Sequence, residues 1–348
     1  MKIALITDTH FGARGDSLVF HNYFMKFYNE VFFPYLEKNN ISNIIHLGDV
    51  TDRRKFINYN TLDGLRTSFI DRLKKYNTHF IVGNHDVYYK NTNRINSMEQ
   101  LFGDGFNVWT ETATIKIGDT DICLVPWINS ENQKQTVKHI KKTKAKIALG
   151  HLELNGFEMI RGIKCESGMD IGIFKKFDLT CSGHFHTKSS QGNIHYLGSP
   201  YEFFWNDCDD SKGFHILDTD KIGEVGELDF IVNPFNIFKK IWYDDSPDAS
   251  MAPLVDINDM YIKVIVKNKT DQYRFDSYID DLYKLGVADL SIVDEDDDFD
   301  YEELDKPDQA EDTLALLSKY IDNYEVDIDK NELKTIMNEL YISALRGD

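Results

Sequence analysis

Short apolar runs that hand over abruptly to polar, ligand-type side chains recur along this chain, and they predict its fold. Residues 2–7 form such a run ahead of Asp8 and His10, and residues 41–47 form one ahead of Gly48-Asp49. Residues 79–82 lead into Gly83-Asn84-His85-Asp86, 146–149 into Gly150-His151, and 179–182 into Gly183-His184-Phe185-His186. Each reads as a buried strand with polar residues at its carboxyl end. Residues 17–39 place Phe20, Phe24, Phe27, Tyr28 and Val31 at helical spacing, and 61–75 read as a second helix. This alternation predicts an α/β fold whose functional side chains sit on the loops that follow its strands.

The pattern changes after residue 112. Residues 113–117 and 122–126, separated by Gly118-Asp119-Thr120-Asp121, read as a hairpin, and strand-like runs follow at 194–198, 213–218 and 227–232. A two-sheet β-sandwich flanked by helices accommodates both halves, as one domain over 1–235. Residues 236–293 read as a small α/β cap, with a strand at 261–267, a helix at 271–285 and a strand at 288–293. Asp294-Glu295-Asp296-Asp297-Asp298 opens an acidic linker over 294–309. Two amphipathic helices at 310–324 and 330–345 then form a C-terminal helical hairpin within 310–348. Such a hairpin buries little alone and needs something to pack against.

Composition narrows the class. With 348 residues, 42% of them hydrophobic, the chain can bury a large core and divides into more than one unit. No apolar run approaches the roughly 18–20 residues of a membrane span, and Met1-Lys2-Ile3 enters a strand directly, so no membrane association and a cytoplasmic location are expected. Cys123, Cys165, Cys181 and Cys208 form no CxxC pair and read as reduced, buried thiols. The net charge of −19 is mostly a property of the tail, because residues 291–348 hold 19 acidic and 5 basic residues. The rest of the chain is therefore not hostile to nucleic acid.

The strand-end residues Asp8, His10, Asp49, Asn84, His151, His184 and His186 are all nitrogen or oxygen donors. Seven such ligands, with Asp49 shared, suffice for two divalent ions and leave room for a bridging water and substrate oxygens. Mixed imidazole, carboxylate and amide donors suit Mn²⁺, Fe²⁺ or Zn²⁺ better than Mg²⁺ in an all-oxygen site. His85, next to Asn84 but outside the ligand set, is the candidate proton donor to a leaving oxygen, with Asp52 placed to orient it. Arg53 is a candidate phosphate clamp, with Arg54 and Lys55 beside it. The lysines at 138, 141, 142, 144 and 146 read as a solvated helix face, and Tyr201, Phe203, Phe204 and Trp205 as packing residues before a base-stacking set. His21, His46, His79, His139, His195 and His215 fall outside the motifs.

In order and spacing these motifs resemble the calcineurin-like metallophosphoesterase superfamily and its four-layer fold. Within it, the stretches at 125–127, 150–157 and 198–201 are similar to SbcD-like nuclease subunits of double-strand-break repair complexes, most of all the recombination endonuclease subunits of T-even phages. The resemblance implies one ion held by Asp8, His10, Asp49 and His186, a second by Asp49, Asn84, His151 and His184, and a catalytic His85. It further implies a manganese-dependent DNA nuclease acting with an SMC-like coiled-coil P-loop ATPase that binds the carboxyl-terminal helices, and a homodimer within a heterotetramer. The first helices, with their aromatic faces, are the expected dimer contact. Asp52 stands where archaeal and eukaryotic relatives carry histidine, so cleavage polarity does not transfer. The alternative reading is a phosphoprotein phosphatase or small phosphodiesterase using the same metal site.

Overall fold

Alternation along the first strand generates the layers. In the computed structural model, which describes residues 1–295 apart from 103, 104, 161, 248 and 250–252, together with 330, 333, 334, 336 and 337, β1 (Lys2–Ile6) turns Ile3 and Leu5 to one side and Ala4 and Ile6 to the other. Along the chain follow β2 (Asn43–His46), β3 (Asn77–Ile81), β4 (Asn107–Trp109), β5 (Ala113–Ile117) and β6 (Thr120–Val125). Next come β7 (Ile147–His151), β8 (Glu158–Ile160), β9 (Ile163–Lys164), β10 (Leu179–Gly183), β11 (Ser189–Gln191) and β12 (Ile194–Tyr196). The series ends with β13 (Gly213–Asp218), β14 (Leu228–Val232), β15 (Phe238–Asp244), β16 (Tyr261–Asn268) and β17 (Asp289–Asp294).

One six-stranded sheet has the order β14-β13-β1-β2-β3-β4 and the other β11-β12-β10-β7-β6-β5. Ile3, Leu5, Ile45, Leu47 and Ile81 of the first meet Ile122, Leu124, Ile147, Leu149 and Leu179 of the second, so the two sheets share a dry interior. The opposite face of the first sheet packs on the helical stretch 18–38, through Phe20, Phe24, Phe27 and Tyr28. The opposite face of the second, with Cys123, Val125 and Ala148, packs against Ile140 of the helix Gln133–Lys142. The result is the four-layer arrangement of the metallophosphoesterase fold. Because β1, β2 and β3 run parallel, as do β6, β7 and β10, the carboxyl ends of each set lie along one edge of its sheet.

Both helices of the first half depart from the sequence expectation in the same way. Leu18–Phe27 passes through a π-helical turn at Tyr28–Phe32 before Phe33–Lys38, and Tyr59–Leu65 through one at Arg66–Ile70 before Asp71–Leu73. The widened turns set Tyr28 against Phe69, ring centres 4.7 Å apart. The first stretch ends as Asn40 enters the left-handed region at φ 53°, which asparagine tolerates. Its aromatic face is spent on the internal core, which removes it as the dimer contact expected above: Phe24 stacks on Tyr201 at 4.0 Å. Tyr201 and Phe203 are buried and are packing residues.

The cap sheet has three parallel strands, β15-β16-β17, where the sequence suggested two. Phe238, Ile241 and Tyr243, interrupted by Lys239 and Lys240, match neither a two-residue nor a helical period, which is why β15 was not anticipated. The helix Gln272–Lys284 starts on an Asp271 cap and packs Phe275 and Leu282 onto Tyr243 and Val264. Glu202, buried beside Tyr201, accepts hydrogen bonds from the main-chain N–H groups of Ile237 (2.7 Å) and Phe238 (3.0 Å), tying the base of β15 to the sandwich. Residues 296–348 form a separate unit. The helices expected at 310–324 and 330–345, and all but the first two residues of the acidic linker, lie outside the described residues, except for helical positions between 330 and 337. Among the described residues no helix is long and apolar enough to cross a membrane.

Candidate metal centre

The glycines that end the apolar runs let the strand-end loops approach one another closely. A Cβ at Gly83 would collide with Asp49, and one at Gly183 with Thr7 and Asp8. Loop then binds to loop through the main chain, with Asp8 N donating to Gly48 O (3.0 Å) and His10 N to Asp49 O (3.1 Å). Asp8, His10, Asp49 and His184 all sit at positive φ (52°, 39°, 58° and 90°), a region that costs a non-glycine residue about 1–3 kcal/mol and clusters at functional sites. These contacts hold them there.

Asp86, to which the sequence assigned no role, organises this junction. Its buried carboxylate accepts from the main-chain N–H groups of Asp49 (2.7 Å), Val50 (2.9 Å), Thr51 (3.3 Å) and Gly83 (2.9 Å). The loops after β2 and β3 are thereby fixed around one anion. Only its place at the end of the Gly-Asn-His-Asp string hinted at it.

Three donor groups form, one of His10, Asp52 and His85 and two made wholly of predicted ligands. Asp8, His10 and His186 offer ligand atoms within 4.8 Å of one another, as do Asp49, His151 and His184. Nε2 of His10 and of His186 are 3.1 Å apart, and Oδ1 of Asn84 lies 2.9 Å from both His151 Nε2 and His184 Nδ1. Asp49, a member of the second group, also faces the first through His10. Its Oδ1 accepts from the His85 main-chain N–H (2.7 Å), while its buried Oδ2 has no hydrogen-bond partner among the described residues and lies 3.2 Å from His151 Nε2 and 3.7 Å from His10 Nε2. An orphaned carboxylate oxygen between two imidazoles, all buried, suits divalent cations. All seven predicted ligands converge here. The four free cysteines are buried and none belongs to any of these groups.

Electrostatics suit a cation-binding centre. Burial, reinforced by neighbouring His85, pushes His10 down to about 3 and, with His10 next to it, holds His186 well below the usual histidine range. Burial also lowers His184. These rings are neutral and keep a lone pair for a metal. Burial raises Asp8 to about 7. Burial would likewise raise Asp49, but the charge of His151 beside it holds that carboxyl well below its ordinary value; the same contact, working against burial, lifts His151 to about 9.

Surrounding groups fix ring orientation. His151 Nδ1 donates to Leu47 O (2.7 Å), which leaves Nε2 free to ligate. His184 turns Nδ1 to Asn84 and Nε2 toward Glu153 Oε2 at 3.6 Å, so Glu153, which the sequence did not single out for this, favours the tautomer with Nδ1 as donor atom. Lys212, buried and paired with Asp207 (2.7 Å) and Asp210 (3.0 Å), donates to His186 O (2.9 Å).

His85 stands beside the centre, its ring edge-on to His10 at 4.8 Å. Its Nδ1 lies 2.6 Å from the main-chain carbonyl of Asp52, so the orienting contact comes from the backbone, whereas the Asp52 carboxylate lies 3.7 Å from His10 Nδ1. Nε2 of His85 is buried without a hydrogen-bond partner among the described residues. Arg53, the expected phosphate clamp, is instead engaged by Asp16 at 2.6 Å. Arg54 keeps Nη1 buried without a hydrogen-bond partner among the described residues, and Lys55 is exposed.

Known proteins resemble this chain in sequence and in fold. A family model described as calcineurin-like phosphoesterase matches residues 1–188, a span that contains every residue of the donor groups. Exonuclease subunit 1 of Enterobacteria phage T4 is 29% identical over 355 residues, covering 99% of this chain and 99% of the relative. The solved structure of purple acid phosphatase PPD1 from yellow lupin (Lupinus luteus) seeds matches 68% of this chain and 46% of its own at 14% identity, with a TM-score of 0.34.

Two expectations follow. Metal binding requires Asp8 ionised and His151 neutral, so loading at pH 6.5 releases about two protons, and affinity weakens as pH falls. Calorimetry in buffers of different ionisation enthalpy measures the release, and identical heats would contradict it. Asp86→Ala leaves buried N–H groups without an acceptor and lowers stability in urea by about 3 kcal/mol or more; an unchanged unfolding midpoint would remove Asp86 from its organising role.

Proposed function

The chain belongs to the calcineurin-like phosphoesterase family of hydrolases, and from that premise we propose that it is the catalytic subunit of a DNA-processing nuclease, hydrolysing phosphodiesters at a two-metal centre with manganese as its ion. One observation supports the two-metal reading: Asp49 Oδ2, with no hydrogen-bond partner among the described residues, lies 3.7 Å from His10 Nε2 of one donor group and 3.2 Å from His151 Nε2 of the other. Asp8, His10, Asp49 and His186 would hold one ion, and Asp49, Asn84, His151 and His184 the other. When bound, such ions supply Lewis acidity toward water and toward a phosphoryl oxygen.

The chain's own part is proton transfer and positioning. The Asp52 carbonyl can only accept, so His85 carries its proton on Nδ1 in the neutral ring; it therefore donates from Nε2 as imidazolium, to the leaving oxygen. The buried setting of Nε2 keeps bulk water from taking that place. Arg54 and Lys55, with Arg53 held by Asp16 behind them, take the neighbouring phosphates. DNA is the substrate because the phage relative, similar along essentially its whole length, is named an exonuclease subunit.

The same name supports a multi-subunit assembly. Residues 1–235 act as the nuclease domain, 236–293 as a DNA-binding cap, 294–309 as a linker and 310–348 as the docking segment for an SMC-like ATPase. The complex works in end processing for recombination and double-strand-break repair, in the cytoplasm, with the nuclease subunit as a homodimer.

Manganese-loaded protein incubated with linear DNA and with a phosphopeptide separates this from a phosphatase: DNA cleavage is expected, and peptide turnover without it would reject the nuclease reading. His85→Ala keeps the main-chain bond to Asp49, so it retains metal while kcat falls by about 10²- to 10⁴-fold. Wild-type kcat in that variant would remove His85 from the chemistry.

A further inference from the structure

Two segments that leave the metal centre expose aromatic rings to solvent. One follows Asp52 and carries Phe56 (65% exposed) and Tyr59 (87%); the other follows His85 and carries Tyr88 (38%) and Tyr89 (50%). Scattered exposed rings are ordinary. These lie in two stretches, residues 53–62 and 87–98, that contain no Asp or Glu and carry Arg54, Lys55, Lys90 and Arg94 besides Arg53, which Asp16 engages.

The two segments also touch. His85 Nδ1 meets Asp52 O where they leave the site, and farther out Lys55 Nζ lies 5.9 Å from the centre of the Tyr88 ring. Tyr88 and Tyr89 meet edge to face at 4.7 Å, an arrangement that leaves aromatic surface open. Their loop has a defined backbone. Tyr88 N donates to Ile95 O (2.9 Å), a bridge joins Val87 to Asn96, and buried Asn93 donates to Thr110 O (3.0 Å) and Trp127 O (2.9 Å). Closer to the centre, the unpartnered Nη1 of Arg54 is a buried cation donor with no acceptor among the described residues.

We infer that Tyr88 and Tyr89 form a stacking platform for an unpaired base adjoining the scissile phosphate, with Arg54 and Lys55 taking the phosphates on either side. The inference rests on the nuclease reading and adds to it the residues that seat the base beside the cleaved bond. A π-face accepts any base, so the platform contributes binding without sequence selectivity. A peptide substrate offers no repeating base to occupy two adjacent rings. The charge complementarity of a basic surface on an acidic protein also favours a polyanion.

The test uses the full-length, metal-loaded protein on a single-stranded oligonucleotide, on the same sequence as a blunt duplex, and on bis(p-nitrophenyl) phosphate, which has no base to stack. Combined Tyr88→Ala and Tyr89→Ala substitution is expected to raise KM for the single strand by about tenfold or more while kcat moves by less than about twofold. Tyr88→Phe with Tyr89→Phe, which keeps both rings, recovers the wild-type KM. An unchanged KM in the alanine variant overturns the platform; so does a parallel loss on the small diester, or failure of the phenylalanine pair to recover. Failure of the nuclease reading is separately visible, as wild-type protein that hydrolyses the small diester and leaves every DNA substrate intact.

Discussion

A single buried carboxylate, Asp86, receives four main-chain N–H groups from two different loops, and the functional end of the molecule depends on it. Neighbouring parallel strands deliver their carboxyl ends to the same edge, but sheet geometry alone does not dictate what the loops do next. A fixed anion inside the junction does so by collecting donors that would otherwise be buried without partners. Asp49 is thereby presented to both donor groups, and the backbone of His85 is pinned to Asp49 in turn.

Assembling such a site works against stability. Four donor residues adopt left-handed backbone, and two carboxylates and several imidazoles are withdrawn from water. The two sheets offset this with apolar interiors on both faces, and the aromatic cluster around Phe24, Tyr28 and Tyr201 reaches the loops directly, since the Tyr201 hydroxyl donates to Thr9 O at 2.6 Å. Packing and polar function meet at that bond. The strand-end loops are therefore held in place by the hydrophobic core.

The convergence of Asp8, His10, Asp49, Asn84, His151, His184 and His186 was legible because each follows an apolar run that can only be a buried strand, and because glycines mark where loops must nearly touch. The supporting residues were not. Glu153 and Lys212 act on ligands far from them in sequence, through contacts that exist only once both sheets are assembled. Asp52 contributes to His85 through its carbonyl, a group every residue possesses, and Arg53 is claimed by Asp16 across a distance in sequence that no local pattern reveals. Short strands such as β4 and β11 lack the length to show a period, and the π turns arise from packing between helices.

Glu202 has a mechanical consequence. Its carboxylate grips the start of β15, while the next residue, Phe203, lies against the rings of His10 (5.3 Å) and His186 (5.1 Å). A pull on the cap is thus handed, through one peptide unit, to the two imidazoles of one donor group. Load applied far from the reacting atoms reaches them by a stiff linkage that crosses no solvent.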